Sequence, residues 1–240
     1  MTPVMTAAPT DDEILARLLY RDAMMLVLDK PAGLPVHAGP KGGPVLERHL
    51  DALRFGLPHP PALAHRLDKD TSGCLVLGRH RKATALLGDL FASGRVTKTY
   101  WAVVEGGPVA NEGRIDLALA RKSADRRSWW MKADPAGQPA QSDFRVLHRA
   151  DGRSWLELRP LTGRTHQLRV HCAASGFPIL GDAVYGTAGR GPDAPPLHLH
   201  ARAVSVPLNP KKPAVTVEAP PPPHLVETLR RLGADWPAIP

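Results

Sequence analysis

The sequence predicts an α+β chain: a mostly antiparallel, mixed sheet flanked by short helices. Three observations carry that reading. Strand-like apolar runs bounded by turn residues dominate the chain. Helical spacing of apolar residues is confined to a few short stretches. Neither a 20–50-residue repeat nor a break in composition divides the 240 residues. The expectation is therefore one domain over residues 18–219. A flexible tail over 1–17 precedes it, and 220–240 follow as a proline spacer with a C-terminal helix packed on the domain.

Taken in order, Leu18 to Pro31 (LLYRDAMMLVLDKP) reads as strand, turn and strand about Arg21-Asp22. Pro31 to Pro35 is a rigid turn and Gly39 to Pro44 a flexible loop. Leu46, Leu50 and Leu53 share one face of a short helix within Val45–Phe55. Leu75 to Leu77 is a buried strand. Ala83 to Ala92 is a helix closed by Gly94. Strands follow at Thr97–Val104, Ile115–Leu119, Ser142–Leu147 and Trp155–Leu158. In the last, Trp155, Glu157 and Arg159 alternate with Leu156 and Leu158, as in a half-exposed strand. Thr165–Ala174 returns to helical spacing, with Thr165 as N-cap and Gly176 beyond the end. His198–Val206 alternates again. Four prolines at 220–223 make a stiff spacer before a helix from Leu225 to Leu232.

Composition removes several classes. With 43% hydrophobic and 22% charged residues the chain matches ordinary globular usage. Its 21 Gly and 26 Pro stay below the roughly 25–30% at which low complexity becomes the default. The longest clean apolar run, Ala23–Leu28, falls far short of the ~20 residues of a membrane span. No secretory signal is visible in MTPVMTAAPTDDEIL. Cys74 and Cys172 lie far apart without C-x-x-C spacing, which favours two buried thiols in a reducing compartment over one disulfide. The expected location is the cytoplasm.

Charge supplies the first functional pointer. The net charge is +8, and a basic chain of this size attracts polyanions, nucleic acid above all. Residues 121–132 (RKSADRRSWWMK) carry +4 of it. Arg121, Arg126 and Arg127 interleave there with Trp129 and Trp130, which suits phosphate contact with base stacking. The other reading of the same stretch is a solvated charged hairpin with core tryptophans.

Two polar clusters are candidates for chemistry. His65-Arg66-Leu67-Asp68-Lys69-Asp70-Thr71-Ser72-Gly73 packs ionisable groups between apolar segments, either lining a cleft or forming a charged surface loop. Gly163-Arg164-Thr165-His166-Gln167-Leu168-Arg169-Val170-His171 opens a helix on a glycine turn. Its free N–H groups and Arg164 suit an anion, unless this is simply a helix start with surface arginines. Arg169 is long enough to reach a carboxylate in a facing loop.

Metal and nucleotide chemistry fit poorly. Asp68-Lys69-Asp70-Thr71 has the spacing of a magnesium-dependent aspartyl-phosphate enzyme, but His65 and Arg66 stand where an apolar strand would end. His166 with His171, and His198 with His200, lack a Cys or carboxylate at zinc-ligand spacing. Neither G-x-G-x-x-G nor G-x-x-x-x-G-K-[ST] occurs. No metal and no cofactor are expected.

The chain resembles the RluA-type RNA pseudouridine synthases. The resemblance rests on five motifs in order: Asp29 to His37 (DKPAGLPVH), His65–Asp68 with Thr71–Gly73, Lys98 with Tyr100, Leu161–His171, and Pro178-Ile179 with Gly181-Asp182 and Tyr185-Gly186. They span about residues 18 to 206. The resemblance implies the pseudouridine synthase fold and a cofactor-free isomerase that detaches uracil from ribose, rotates it and rejoins it through carbon. It implies Asp68 as the catalytic aspartate, Arg169 as its partner and Tyr100 as the active-site tyrosine. It implies Arg66 as the residue filling the gap left by a flipped uridine, and Leu168, where isoleucine is frequent, as a wall of the base pocket. His65, Thr71 and Arg164 complete the expected substrate contacts. Asp68 then acts by attack on the ribose or along a glycal-like path. The expected partner is ribosomal or transfer RNA, the expected state a monomer. Only about seventeen residues precede the first matching strand, so the chain is similar to the short branch without an S4-like RNA-binding module.

Overall fold

The computed structural model describes residues 8–39, 42–123, 130–189 and 194–234. Arg126, Arg127 and Trp129 lie outside the described residues. The chain begins with α1 (Asp11–Leu15), β1 (Leu18–Arg21) and β2 (Met25–Lys30), then a 3-10 helix over Leu46–Leu53. Next come β3 (Ala62–Leu63), β4 (Ser72–Gly78), α2 (Arg81–Ala92), β5 (Thr97–Glu105) and β6 (Glu112–Asp116). Then follow β7 (Leu119–Arg121), β8 (Met131–Ala133), β9 (Gln141–Ala150) and β10 (Arg153–Pro160). The last elements are α3 (Gln167–Ala174), β11 (Leu199–Val206), β12 (Val215–Glu218) and α4 (Pro223–Arg231). The fold is α+β, as expected. The elements form two compact units, one of residues 1–98 with 201–220, the other of 99–200 with 221–240.

In the first unit β1 and β2 pair antiparallel, β2 pairs β4 from Met25↔Gly78 to Lys30↔Gly73, and β12 pairs β11. Short β3 pairs the end of β4. All seven residues of β4 are buried. On one face Met25, Val27, Cys74, Val76, Val204 and Val206 meet Leu87 and Leu90 of α2. At about 25 cal/mol per Å2 of apolar surface removed from water, this continuous face drives the docking of α2. The segment expected as a tail contains α1, held by a capping box in which Thr10 accepts from the Glu13 N–H and Glu13 accepts from the Thr10 N–H. The helix expected over Val45–Phe55 is 3-10, with Leu46, Leu50 and Leu53 buried.

In the second unit β10 pairs both β5 and β9, and β9 pairs β6, all antiparallel. Alternation on β5 and β10 divides two cores. Ala102, Val104, Leu156 and Leu158 face Leu168 and Cys172 of α3, with Phe177 and Ile179. Trp101, Val103 and Trp155 face Leu225 and Leu229 of α4. The half-exposed reading of β10 is corrected accordingly. Trp155 is buried because α4 covers its face, and its ring meets Trp101 edge-on with centroids 4.8 Å apart. The strand expected over Ile115–Leu119 divides into the end of β6 and the start of β7, which forms a separate ribbon with β8. Both cysteines are free and buried, and burial pushes each thiol up to about 12.

Candidate active site

The first unit presents the His65–Thr71 loop from a buried lysine. Lys30 ends β2 with 1% of its surface exposed. Its Nζ donates to the carbonyls of Pro31 at 2.8 Å, Leu34 at 3.0 Å and Lys69 at 2.9 Å. Three acceptors employ all three N–H donors of an ammonium. Burial draws the Lys30 pKa down to about 7, against the opposing pull of Asp70, Asp68 and Asp29. Gly33, at φ +84°, adds an N–H···O bond of 2.9 Å to the Lys69 carbonyl. The turn after β2 and the loop bearing Asp68 are thus joined through one cation.

At the head of that loop the Thr71 N–H donates to the Asp68 carbonyl at 3.2 Å. Asp68 is half-buried and Arg66 exposed, whereas the Thr71 hydroxyl is buried with no hydrogen-bond partner among the described residues. Gly73, at φ +104°, lets the loop enter β4: a Cβ there would stand 2.3 Å from the Ala201 carbonyl oxygen. His65 anchors the loop's other end. Its Nε2 accepts the Val76 N–H at 3.0 Å and its ring stacks on Phe91, centroids 4.2 Å apart. Burial, then the charge of Lys98, lowers its pKa to about 3, so it is a neutral acceptor.

The second unit holds Tyr100, Leu168 and Arg169. Tyr100 packs against the cluster that contains Leu168 and Leu158. Helix α3 begins at Gln167, and its N-cap is His166 in the left-handed region at φ +53°, not Thr165. Gln167 substitutes for a capping side chain. Its Oε1 accepts from the Thr162 hydroxyl and the Arg164 N–H, and its Nε2 donates to the Gln141 carbonyl and the Ser142 hydroxyl. His171 donates from Nε2 to the Leu117 carbonyl, leaving Nδ1 to accept from Ser142.

Arg169 reaches the carboxylate of Asp182 in the loop after α3. Nε donates to Oδ2 at 2.7 Å and Nη2 to Oδ1 at 2.8 Å, with both side chains almost fully buried. Burial pushes the Asp182 carboxyl up. The bonds and charge of Arg169, with the Val184 and Tyr185 N–H groups, outweigh that and carry it below the ordinary carboxylate value. The Arg169 guanidinium also lies over the Tyr185 ring, 5.3 Å from its centroid. The Tyr185 hydroxyl accepts the Met131 N–H at 2.9 Å and meets His166 Nδ1 at 2.7 Å. A bidentate ion pair of this kind fixes the guanidinium in place and orientation.

Sequence reasoning missed Lys30, Asp182, Gln167 and Tyr185 as parts of these arrangements. Lys30, Asp182 and Tyr185 lie inside the motifs DKPAGLPVH, Gly181-Asp182 and Tyr185-Gly186, so position was legible and role was not. Arg164 is exposed, its Nε donating to the Pro139 carbonyl at 3.1 Å. Arg121, exposed, ends β7. Among the described residues no three His, Cys, Asp or Glu side chains gather as a metal site, and no helix is long and apolar enough to cross a membrane.

Comparison with known proteins bears on these arrangements. The profile of the family described as RNA pseudouridylate synthase matches residues 24–174. The chain is 44% identical over 205 residues to an uncharacterised RNA pseudouridine synthase of Zymomonas mobilis, covering 85% of this chain and 93% of that one. It is 36% identical over 183 residues to the ribosomal large subunit pseudouridine synthase D of the same organism, covering 72% and 57% respectively. Among solved structures, human RNA pseudouridylate synthase domain containing 4 is similar with a TM-score of 0.78 and 28% identity, covering 95% of this chain and 97% of that one.

Proposed function

The chain belongs to the RNA pseudouridylate synthase family, and from that premise we propose that it converts specific uridines of ribosomal or transfer RNA to pseudouridine with Asp68 as the catalytic carboxylate. The enzyme is an RNA isomerase. Ribosomal RNA is the favoured pool, because one relative is named for the large ribosomal subunit. The cytoplasm is the favoured compartment, supported by two free, buried cysteines.

The observation that carries the role of Asp68 is the Lys30 clamp. An ammonium with three carbonyl partners fixes the loop at Lys69, one residue beyond Asp68, and its charge lies within the field of the Asp68 carboxylate. A carboxylate held in place is what cofactor-free chemistry at the glycosidic carbon requires. The N1–C1′ bond breaks with Asp68 attacking or assisting at the ribose, uracil turns, and C5 bonds to C1′, releasing the carboxylate from C1′ where Asp68 had bonded to it. The C5 proton then leaves and N1 acquires one, so the reaction balances without oxidant or cofactor.

The remaining roles follow the family resemblance. Tyr100 takes the C5 proton, and Leu168, in the same apolar cluster, walls the base. Arg169 supports the Asp68 carboxylate with a guanidinium already oriented by Asp182. Exposed Arg66 fills the stack when uridine flips out. His65, Thr71 and Arg164 shape the substrate contacts, and the basic stretch with Arg121, Arg126, Arg127 and Trp129 adds RNA affinity.

The test is tritium release from RNA labelled at uridine C5, on ribosomal and transfer RNA separately. Release by the wild type and none by Asp68→Asn supports the reading. Release by Asp68→Asn at the wild-type rate removes Asp68 from the chemistry.

A further inference from the structure

The turn that carries Asp68 contains a donor without an acceptor. Thr71 is 2% exposed, and its hydroxyl is buried with no hydrogen-bond partner among the described residues. A buried hydroxyl that has lost its water and found no acceptor destabilises the fold that contains it. Its presence therefore calls for a use outside the resting structure.

The backbone of the same turn is already committed. The Thr71 N–H donates to the Asp68 carbonyl at 3.2 Å. The Lys69 carbonyl accepts from Lys30 Nζ and from the Gly33 N–H, both at 2.9 Å, which fills its two lone pairs. Two residues on, Gly73 runs so close to Ala201 that a Cβ would stand 2.3 Å from its carbonyl oxygen, which pins the chain beyond the turn. What can still move is the half-buried side chain of Asp68. Asp68 and Thr71 are the two ends of a four-residue turn centred on Lys69 and Asp70, and such ends lie within ~7 Å between Cα atoms. Rotation of the Asp68 side chain is enough to span that gap to the hydroxyl. The other carboxylate of the turn, Asp70, is exposed, whereas the hydroxyl is closed to solvent. A carboxylate is also a stronger acceptor than any carbonyl nearby.

We propose that the Thr71 hydroxyl is a positioning group for the isomerisation: in the RNA-bound protein it donates to the Asp68 carboxylate and fixes which oxygen faces the ribose. This role rests on Asp68 as the catalytic carboxylate and adds the donor that aims it. The proton stays on Thr71 throughout, so no covalent bond to the threonine forms or breaks. Closed to solvent, the hydroxyl shapes the site through Asp68 rather than by touching RNA. A misplacement of ~1 Å at a reacting group costs about a hundredfold, so the effect belongs in kcat rather than in KM.

The test is Thr71→Val, which nearly keeps the shape and removes the hydroxyl, beside Thr71→Ala and Thr71→Ser. Each is measured in thermal melts and in tritium release from ribosomal and transfer RNA. The resting fold makes no use of the hydroxyl, so Thr71→Val is expected to melt at or above the wild-type temperature. Its kcat should fall roughly tenfold or more while KM stays within about twofold of wild type. Thr71→Ala also opens a cavity and should melt lower, yet lose kcat to the same extent. Thr71→Ser keeps the hydroxyl and should recover most of kcat. If Thr71→Val does not fold, Thr71→Ala against Thr71→Ser decides the same question.

Wild-type kcat in Thr71→Val overturns the proposal, as does a kcat that follows the melting temperature across the three variants. A rise in KM at unchanged kcat overturns it too, because it places the hydroxyl against RNA. In each of these cases, loss of release in Asp68→Asn keeps the isomerase reading. Wild-type release by Asp68→Asn, or no release by wild type from either RNA pool, overturns that reading and the Thr71 role with it.

Discussion

Replacing Lys30 by methionine removes the cation that holds the Asp68 loop while nearly preserving volume. Each charge-assisted hydrogen bond is worth about 1.5–3 kcal/mol, and Lys30 makes three, to Pro31, Leu34 and Lys69. The gross loss is offset by no longer burying a charge, a cost evident in the Lys30 pKa drawn down to about 7 by burial. Truncating one partner of a buried charged network costs about 3–5 kcal/mol net, and Lys30→Met is expected there. Against a total stability of about 5–15 kcal/mol the protein still folds, with a markedly lower urea midpoint. Activity should fall further than stability, because a displacement of about 1 Å at a catalytic group costs about a hundredfold. Urea unfolding and tritium release measured on the folded fraction separate the two effects. A midpoint shift worth less than about 1 kcal/mol, together with wild-type turnover, would refute the clamp.

Other positions give equally direct outcomes. Gly73→Ala combines φ +104° with a Cβ 2.3 Å from the Ala201 oxygen and should cost roughly 3 kcal/mol or more, read as a fall in melting temperature; an unchanged melt contradicts it. Asp182→Asn takes the negative charge out of the buried bidentate pair with Arg169 and should cost about 3–5 kcal/mol. Because the Asp182 carboxyl is held below its ordinary value, its stabilisation is present above that value and lost as pH falls through the depressed pKa. The acid limb of the wild-type stability curve should therefore be shallower in Asp182→Asn, and an identical limb argues against it. Asp29 has the opposite sign. Burial, opposed by Arg17 and Lys30, raises its pKa to about 6, so its contribution is present below 3.8 and lost as pH rises through 6. Asp29→Asn should remove that decline, seen in urea midpoints across the window.

Much of the fold was legible because local signals agreed with tertiary need. The two apolar runs of Leu18–Pro31 flanking Arg21-Asp22 become β1 and β2, and Leu86, Leu87 and Leu90 lie on α2, which Gly94 closes at φ +69°. What escaped depended on distant chain. Trp155 reads as solvent-facing until α4 covers it from beyond four prolines. Thr165 has the side chain of an N-cap, yet the Gln167 Oε1 accepts from the preceding turn, and His166 takes the left-handed cap. Lysine is almost never fully buried unless paired, so nothing in DKPAGLPVH marks Lys30 as interior, although three carbonyls await it. For Arg169 the need for a carboxylate was visible, but Asp182, thirteen residues on, becomes its partner only through the folding of the intervening turn.

The central claim, uridine isomerisation dependent on Asp68, is tested most directly by nucleoside composition. Purified protein would be incubated with unmodified ribosomal RNA, and the RNA digested and resolved chromatographically. Wild type should convert uridine to pseudouridine one for one, while Asp68→Asn binds the RNA and forms none. Pseudouridine formed equally by wild type and Asp68→Asn would contradict the account.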